Sequence, residues 1–89
     1  MTEPLLPGAP GWCLRSYVLD RKEFNALRTR LPRAVRRDVE VVPEGHVGLI
    51  AQAVVDDEPP LAVLYGSAPA ATVAEGQRQL ELKLTALMA

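Results

Sequence analysis

The sequence predicts an α+β domain: a two-layer sandwich in which a four-stranded mixed sheet carries two helices on one face. Three observations lead there. Stretches rich in aliphatic and aromatic residues at 12–19, 47–55 and 61–66 read as strands. Apolar residues recur at helical spacing in 21–31 and again towards the C-terminus. The segments follow in the order β-α-β-β-β-α, which suits helices layered on a sheet, and show no internal repeat.

Trp12 to Leu19 (WCLRSYVL) is the first strand. Asp20 with Glu23 three residues on has the spacing of an N-terminal capping box, and Phe24, Leu27 and Leu31 form one face of the helix that follows. Pro32 disfavours helical geometry at the residue before it but suits the start of a new turn, so a break and a short helical turn to Arg37 are expected. Asp38 to Val42 (DVEVV) alternates polar and apolar residues and reads as a half-buried second strand. Residues 43–46 (PEGH) supply turn chemistry before the longer strand 47–55. The run 56–60 (DDEPP) makes a second turn, and 61–66 is the fourth strand. The last helix begins at Ser67, with Pro69 inside it and Thr72 and Glu75 spaced as another capping box. It collects Val73, Leu80, Leu84, Leu87 and Met88 on one face, with Leu82 pointing the other way.

The 47–55 and 61–66 strands are apolar on both faces. A single layer of helices dries only one of them, so the other needs cover. Two covers offer themselves, a second copy of the chain or residues 1–10, whose three prolines suggest an irregular or disordered arm ahead of a single domain at 11–89. The second copy is preferred. The expected interface draws on Leu49, Ile50, Val54, Val63, Leu64 and Tyr65, in a two-fold symmetric homodimer.

Composition narrows the function without naming it. The chain has 89 residues, 48% hydrophobic and 24% charged, enough for one small domain whose core is marginal without help. Its single cysteine, Cys13, excludes an internal disulfide and a cysteine-cluster metal site, and suits a reducing, cytoplasmic setting. No apolar run is long enough to span a membrane, and the N-terminus lacks the basic start and long apolar run of a signal peptide.

Candidate catalytic sets are poor. Cys13 and His46 would have to meet to form a nucleophilic pair, but one lies in an apolar strand, where a small buried side chain is expected, and the other in an exposed turn. Ser16 and Ser67 sit in no nucleophile elbow. Asp56, Asp57 and Glu58 read as a solvated turn, since a tight calcium loop needs more ligands and a central glycine. Gly45 and Gly48 match the spacing of an RNA-binding G-x-x-G loop, yet they join strands and lie beside Glu44. No catalytic, metal or cofactor site is therefore expected, and the chain reads as a non-enzymatic protein.

The charge is segregated. Between Arg15 and Arg37 there are eight basic residues against Asp20 and Glu23, whereas the rest of the chain holds Arg78 and Lys83 against nine acids, for a net charge of −1. Arg21, Arg28, Arg30, Arg33, Arg36 and Arg37, together with Lys22, can project from the first helix and the turn after it. Arginine's planar fork of donors suits phosphate or carboxylate. The bland alternative is a solvated face paired with nearby acids.

The β-α-β-β-β-α order resembles that of ribosome-hibernation factors, and its α-β-β-β-α part resembles double-stranded-RNA-binding domains. The resemblance is one of element order, and it departs at the last helix. Where the RNA-binding domains place lysines, this chain has Ser67-Ala68-Pro69-Ala70-Ala71. The expectation is thus an interaction module that self-associates through its sheet. The alternative is an RNA- or ribosome-associated protein that binds phosphates through residues 15–37, and an acidic protein is a further possible partner of that basic segment.

Overall fold

The first helix starts where its cap places it. The Asp20 carboxylate accepts a hydrogen bond of 2.8 Å from the Lys22 backbone N–H, satisfying one of the donors that a helix N-terminus leaves free. The computed structural model describes residues 11–89, so the arm expected over residues 1–10 lies outside the described residues. The elements are β1 (Cys13–Leu19), α1 (Arg21–Thr29), the single turn α2 (Arg33–Arg36), β2 (His46–Val54), β3 (Ala62–Pro69), a 3-10 turn (Ala70–Thr72) and α3 (Val73–Met88).

The architecture is α+β, as the sequence predicts, but the sheet has three strands rather than four and is wholly antiparallel, in the order β1-β2-β3. β2 is the central strand. Tyr17 and Tyr65 flank Ile50 from either side, and Leu49 lies between Val18 and Gly66. Because side chains alternate along a strand, Gly48, Ile50, Gln52 and Val54 share one face of β2, and Leu49, Ala51 and Ala53 share the other.

The two main helices take opposite faces of this sheet, which corrects the expectation that both lie on one. α3 brings Leu80 and Leu84 onto Leu49, Ala51, Ala53 and Ala68, with Trp12 closing the end of that core. The small side chains there permit close approach. A Cβ on Gly76 of α3 would collide with that of Ala68 and come within 3.3 Å of Leu49 Cδ1. On the other face α1 inserts Phe24 beside Ile50, Val39 and Val42, with Leu19, Leu27, Leu31, Val63 and Tyr65 around them. The Phe24 and Tyr65 rings meet edge to face, with centroids 6.3 Å apart. The greasy strands are thus dried from both sides by one chain, through a second layer that the sequence reading did not foresee.

Residues 38–42 do not form a strand, and α1 shows why. Asn25 holds the Val42 backbone in both senses: Nδ2 donates to the carbonyl (3.2 Å), and the Val42 N–H donates to Oδ1 (2.9 Å). Arg21 Nε also donates to the Val42 carbonyl, and Arg28 Nε donates to that of Val39. The Asp38 and Val39 N–H groups turn back to the carbonyls of Val35 and Arg36. Backbone groups engaged in this way are not free to join a sheet ladder. Packing follows the same geometry. Val39 and Val42, three residues apart, are buried, while Val41 is 56% exposed. The expected alternation of 39 with 41 is therefore not the one that is used. With no strand between them, β1 and β2 pair directly and antiparallel, and the expected parallel crossover does not arise.

This clamp is testable. Asn25→Ala leaves a Val42 N–H without its partner in a half-buried setting, which costs about 1–3 kcal/mol. Chemical denaturation should register that loss. Hydrogen exchange at the Val42 amide should accelerate in the variant while amides in β2 slow or speed only with global stability.

The end of the chain also differs in detail. β3 runs on to Pro69, so Ser67 to Pro69 are strand rather than the start of a helix, and the Ala70 N–H closes the corner on the Gly45 carbonyl at 2.9 Å. Pro69 fits there because β3 is an edge strand that need not donate outwards. Thr72 precedes α3 but makes no side-chain capping bond. Leu80 and Leu84 are buried as expected, whereas Leu87 is 62% exposed and does not belong to the packed face.

Candidate functional site

Two surfaces remain once the core is assigned. The first is part of the sheet itself. On the α1 face, burial is complete around Gly48 and Ile50 and falls away along the strands. Leu19 is half-buried, Tyr17 is 40% exposed, and Arg15 and Cys13 are exposed. Opposite them Gln52 and Val54 on β2 and Val63 on β3 are only half-buried. α1 is nine residues long, about 13 Å at helical rise, and cannot reach over a nine-residue strand of about 30 Å. Among the described residues nothing covers this half of the face, which ends at an open cavity lined by Arg15, Gln52, Val54, Val55 and the acidic turn from Asp56 to Pro60. Asp57 sits in the left-handed region (φ 62°), which makes that turn tight.

The residues expected at a dimer interface are split by this arrangement. Leu49 and Leu64 face α3, and Leu49 is 1% exposed. Ile50, Val54, Val63 and Tyr65 face the α1 side, where Ile50 and Tyr65 already pack around Phe24. Val63 packs at the border of that cluster as well, so of the six only Val54 lies wholly in the uncovered half. Tyr17 and Cys13 belong to it and were not singled out, because a strand at the edge of a sheet looks the same in sequence whether or not a helix lies over it.

The second surface is the corner between α1 and α2. Residues 24–37 contain Arg28, Arg30, Arg33, Arg36 and Arg37 and no acid. Their contacts in the structure are to backbone carbonyls: Arg28 Nε to Val39, and an Arg36 terminal nitrogen to Thr29 at 3.1 Å. Arg21, two turns earlier on α1, does the same to Val42 at 3.2 Å. Arg30, Arg33 and Arg37 are exposed. The chain's own acids nearest in sequence, Asp38 and Glu40, are exposed on the adjoining segment.

The catalytic candidates are not assembled. Cys13 pairs with Val54 at one end of β2, and His46 pairs with Pro69 at the other, so the two lie roughly 25 Å apart along the strand. Cys13 is exposed rather than buried as its apolar neighbours suggest, because β1 is an edge strand and its outer end has no helix above it. His46 is half-buried, with Nδ1 3.2 Å from the Glu44 carbonyl. Gly45 adopts φ +81° to make the turn, and Gly48 faces Phe24, which accounts for both glycines by backbone conformation and packing. Ser16 donates to Glu81 Oε2 (2.6 Å) and accepts from Gln77 Nε2 (3.0 Å), a contact that pins β1 to α3. Ser67 is exposed on β3. Among the described residues no group of three or more His, Cys, Asp or Glu side chains is placed to hold a metal ion. No helix among them is long and apolar enough to cross a membrane.

Comparison with known protein families, with curated proteins and with solved structures finds no significant match. The element order found here, β-α-α-β-β-α, also removes the topological likeness to ribosome-hibernation factors and double-stranded-RNA-binding domains, which depended on a strand at 38–42.

Proposed function

We propose that the chain is a small non-enzymatic interaction module that self-associates through the uncovered half of its α1-side sheet face. The observation that carries this reading is the stretch of Cys13, Arg15 and Tyr17 exposed on β1 beside half-buried Val54 and Val63, on a sheet otherwise dried on both faces. A tyrosine held on a rigid sheet is the kind of anchor around which interfaces assemble, and the valine beside it adds apolar surface. A standard interface engages roughly 20 residues a side, so this patch would be the core and the 56–60 turn part of its rim. A self-complementary patch of this kind suits a two-fold dimer.

Sedimentation equilibrium over the micromolar range tests it. The wild-type chain should approach twice its monomer mass. Tyr17→Glu should weaken association by roughly 30-fold, the effect of losing a central anchor of about 2 kcal/mol. Tyr17 is 40% exposed in the single chain, so circular dichroism should show the variant folded. A wild-type chain that stays monomeric at the highest concentration ends this reading.

A further inference from the structure

We propose a separate anion-binding surface at the α1–α2 corner, whose ligand is the phosphate backbone of a nucleic acid. The proposal goes beyond the self-association reading and uses different residues. Five arginines, Arg28, Arg30, Arg33, Arg36 and Arg37, fall within ten residues without an intervening carboxylate. Folding concentrates them. The break at Pro32 turns the chain, and Arg36 reaches back to the Thr29 carbonyl at the C-terminal end of α1, so both helical pieces contribute to one corner.

The way two of these side chains are held matters. Arg28 spends its Nε–H on the Val39 carbonyl and Arg36 spends one terminal N–H on Thr29. A carbonyl orients a guanidinium without neutralising it, and the remaining N–H groups stay available as charge-assisted donors. Part of the side-chain entropy that binding would otherwise cost is therefore already lost in folding. Lysine is absent from the cluster. Arginine, with its planar fork and weaker hydration, is the better partner for phosphate oxygens.

The surroundings favour a polyphosphate strand over an acidic protein. Protein interfaces draw most of their energy from anchors buried in well-packed, desolvated pockets, aromatic side chains and arginine above all, and here Val35 is the one large exposed hydrophobe between residues 28 and 37 that could help to pack such a centre. Nucleic-acid backbones bind through charge neutralisation with release of counterions and need no such anchor. No aromatic side chain interleaves with the arginines to stack on bases, so binding here is insensitive to sequence.

Fluorescence anisotropy with a labelled oligo-uridine RNA measures the binding. The affinity should fall steeply with salt, with a log–log slope of about −3 if four or five phosphates are neutralised. Arg33→Gln together with Arg37→Gln removes two exposed charges and leaves the carbonyl-anchored arginines in place. This pair should reduce affinity by about tenfold or more at low salt and flatten the slope by about 1.4. A poly-glutamate peptide of equal charge should bind at least tenfold more weakly. Three results would overturn the proposal: no RNA binding at low salt, affinity unchanged by the double substitution, or poly-glutamate binding as tightly as RNA. Sedimentation of the same double variant separates this surface from the other, since its self-association should match that of wild type.

Discussion

Phe24→Ala should remove a large share of this domain's stability. The Phe24 side chain is 1% exposed and sits at the centre of the core that joins α1 to the sheet, against Ile50, Val39, Val42 and Tyr65. Removing a buried phenyl ring loses its transfer free energy and leaves a cavity that the surroundings fill only in part, about 3–5 kcal/mol in all. A domain of this size holds only about 5–10 kcal/mol in total, so the loss is a large share of it. The effect should be concentrated on one face. α1 and residues 38–42 have few other attachments to the sheet, whereas α3 packs on an independent set of residues, Leu80 and Leu84 on Ala51, Ala53 and Ala68. Urea denaturation should therefore show a lowered midpoint. Hydrogen exchange should find the amides of 24–42 losing protection before those of β2.

Gly48→Ala should be nearly as damaging, for the opposite reason. A methyl group at Gly48 would lie 2.5 Å from Phe24 Cβ and nearer still to its ring, so α1 must lift off the strand or the ring must leave its rotamer. Overpacking of this kind costs about 1–3 kcal/mol and more where the obstructing atom belongs to a fixed backbone element. Strand propensity alone points the other way, since alanine is no worse than glycine in a β-strand. A loss of stability is therefore the signature of Phe24 packed on the strand at Gly48. The two substitutions should not add. With Phe24 truncated to alanine, the methyl at Gly48 no longer meets the ring and only the residue-24 Cβ still crowds it, so the double variant should be about 0.5–3 kcal/mol more stable than the sum of the single effects requires. Strict additivity would mean that residues 24 and 48 do not touch.

The functional surfaces depend on this same layer. α1 leaves half of its sheet face uncovered because it is only nine residues long, and the acid-free arginine corner exists because α2 folds back on α1. The basic segment was legible in the sequence, since eight positive charges against two in a short stretch is a compositional fact. The uncovered strand surface was not. Its recognition required knowing where α1 ends relative to β1, a relation between elements rather than a property of either.

What the amino-acid order settled alone is local. The Asp20 cap, the helical face of Phe24 and Leu27, the break before Pro32, the two long strands and their hairpin all follow from side-chain spacing and turn chemistry within a few residues, and each is present, whereas Leu31 packs from just beyond the end of the helix. What only the folded chain decided is which backbone groups a distant side chain would occupy. Asn25 reaches Val42 across seventeen residues and Arg28 reaches Val39 across eleven, and those bonds convert an alternating strand-like segment into a tethered loop. From that one change follow the three-stranded sheet, the direct pairing of β1 with β2, and the placement of α1 and α3 on opposite faces. Periodicity reports which side of an element is apolar. It carries no information on which neighbour will meet that side, because that choice is made by contacts distant along the chain.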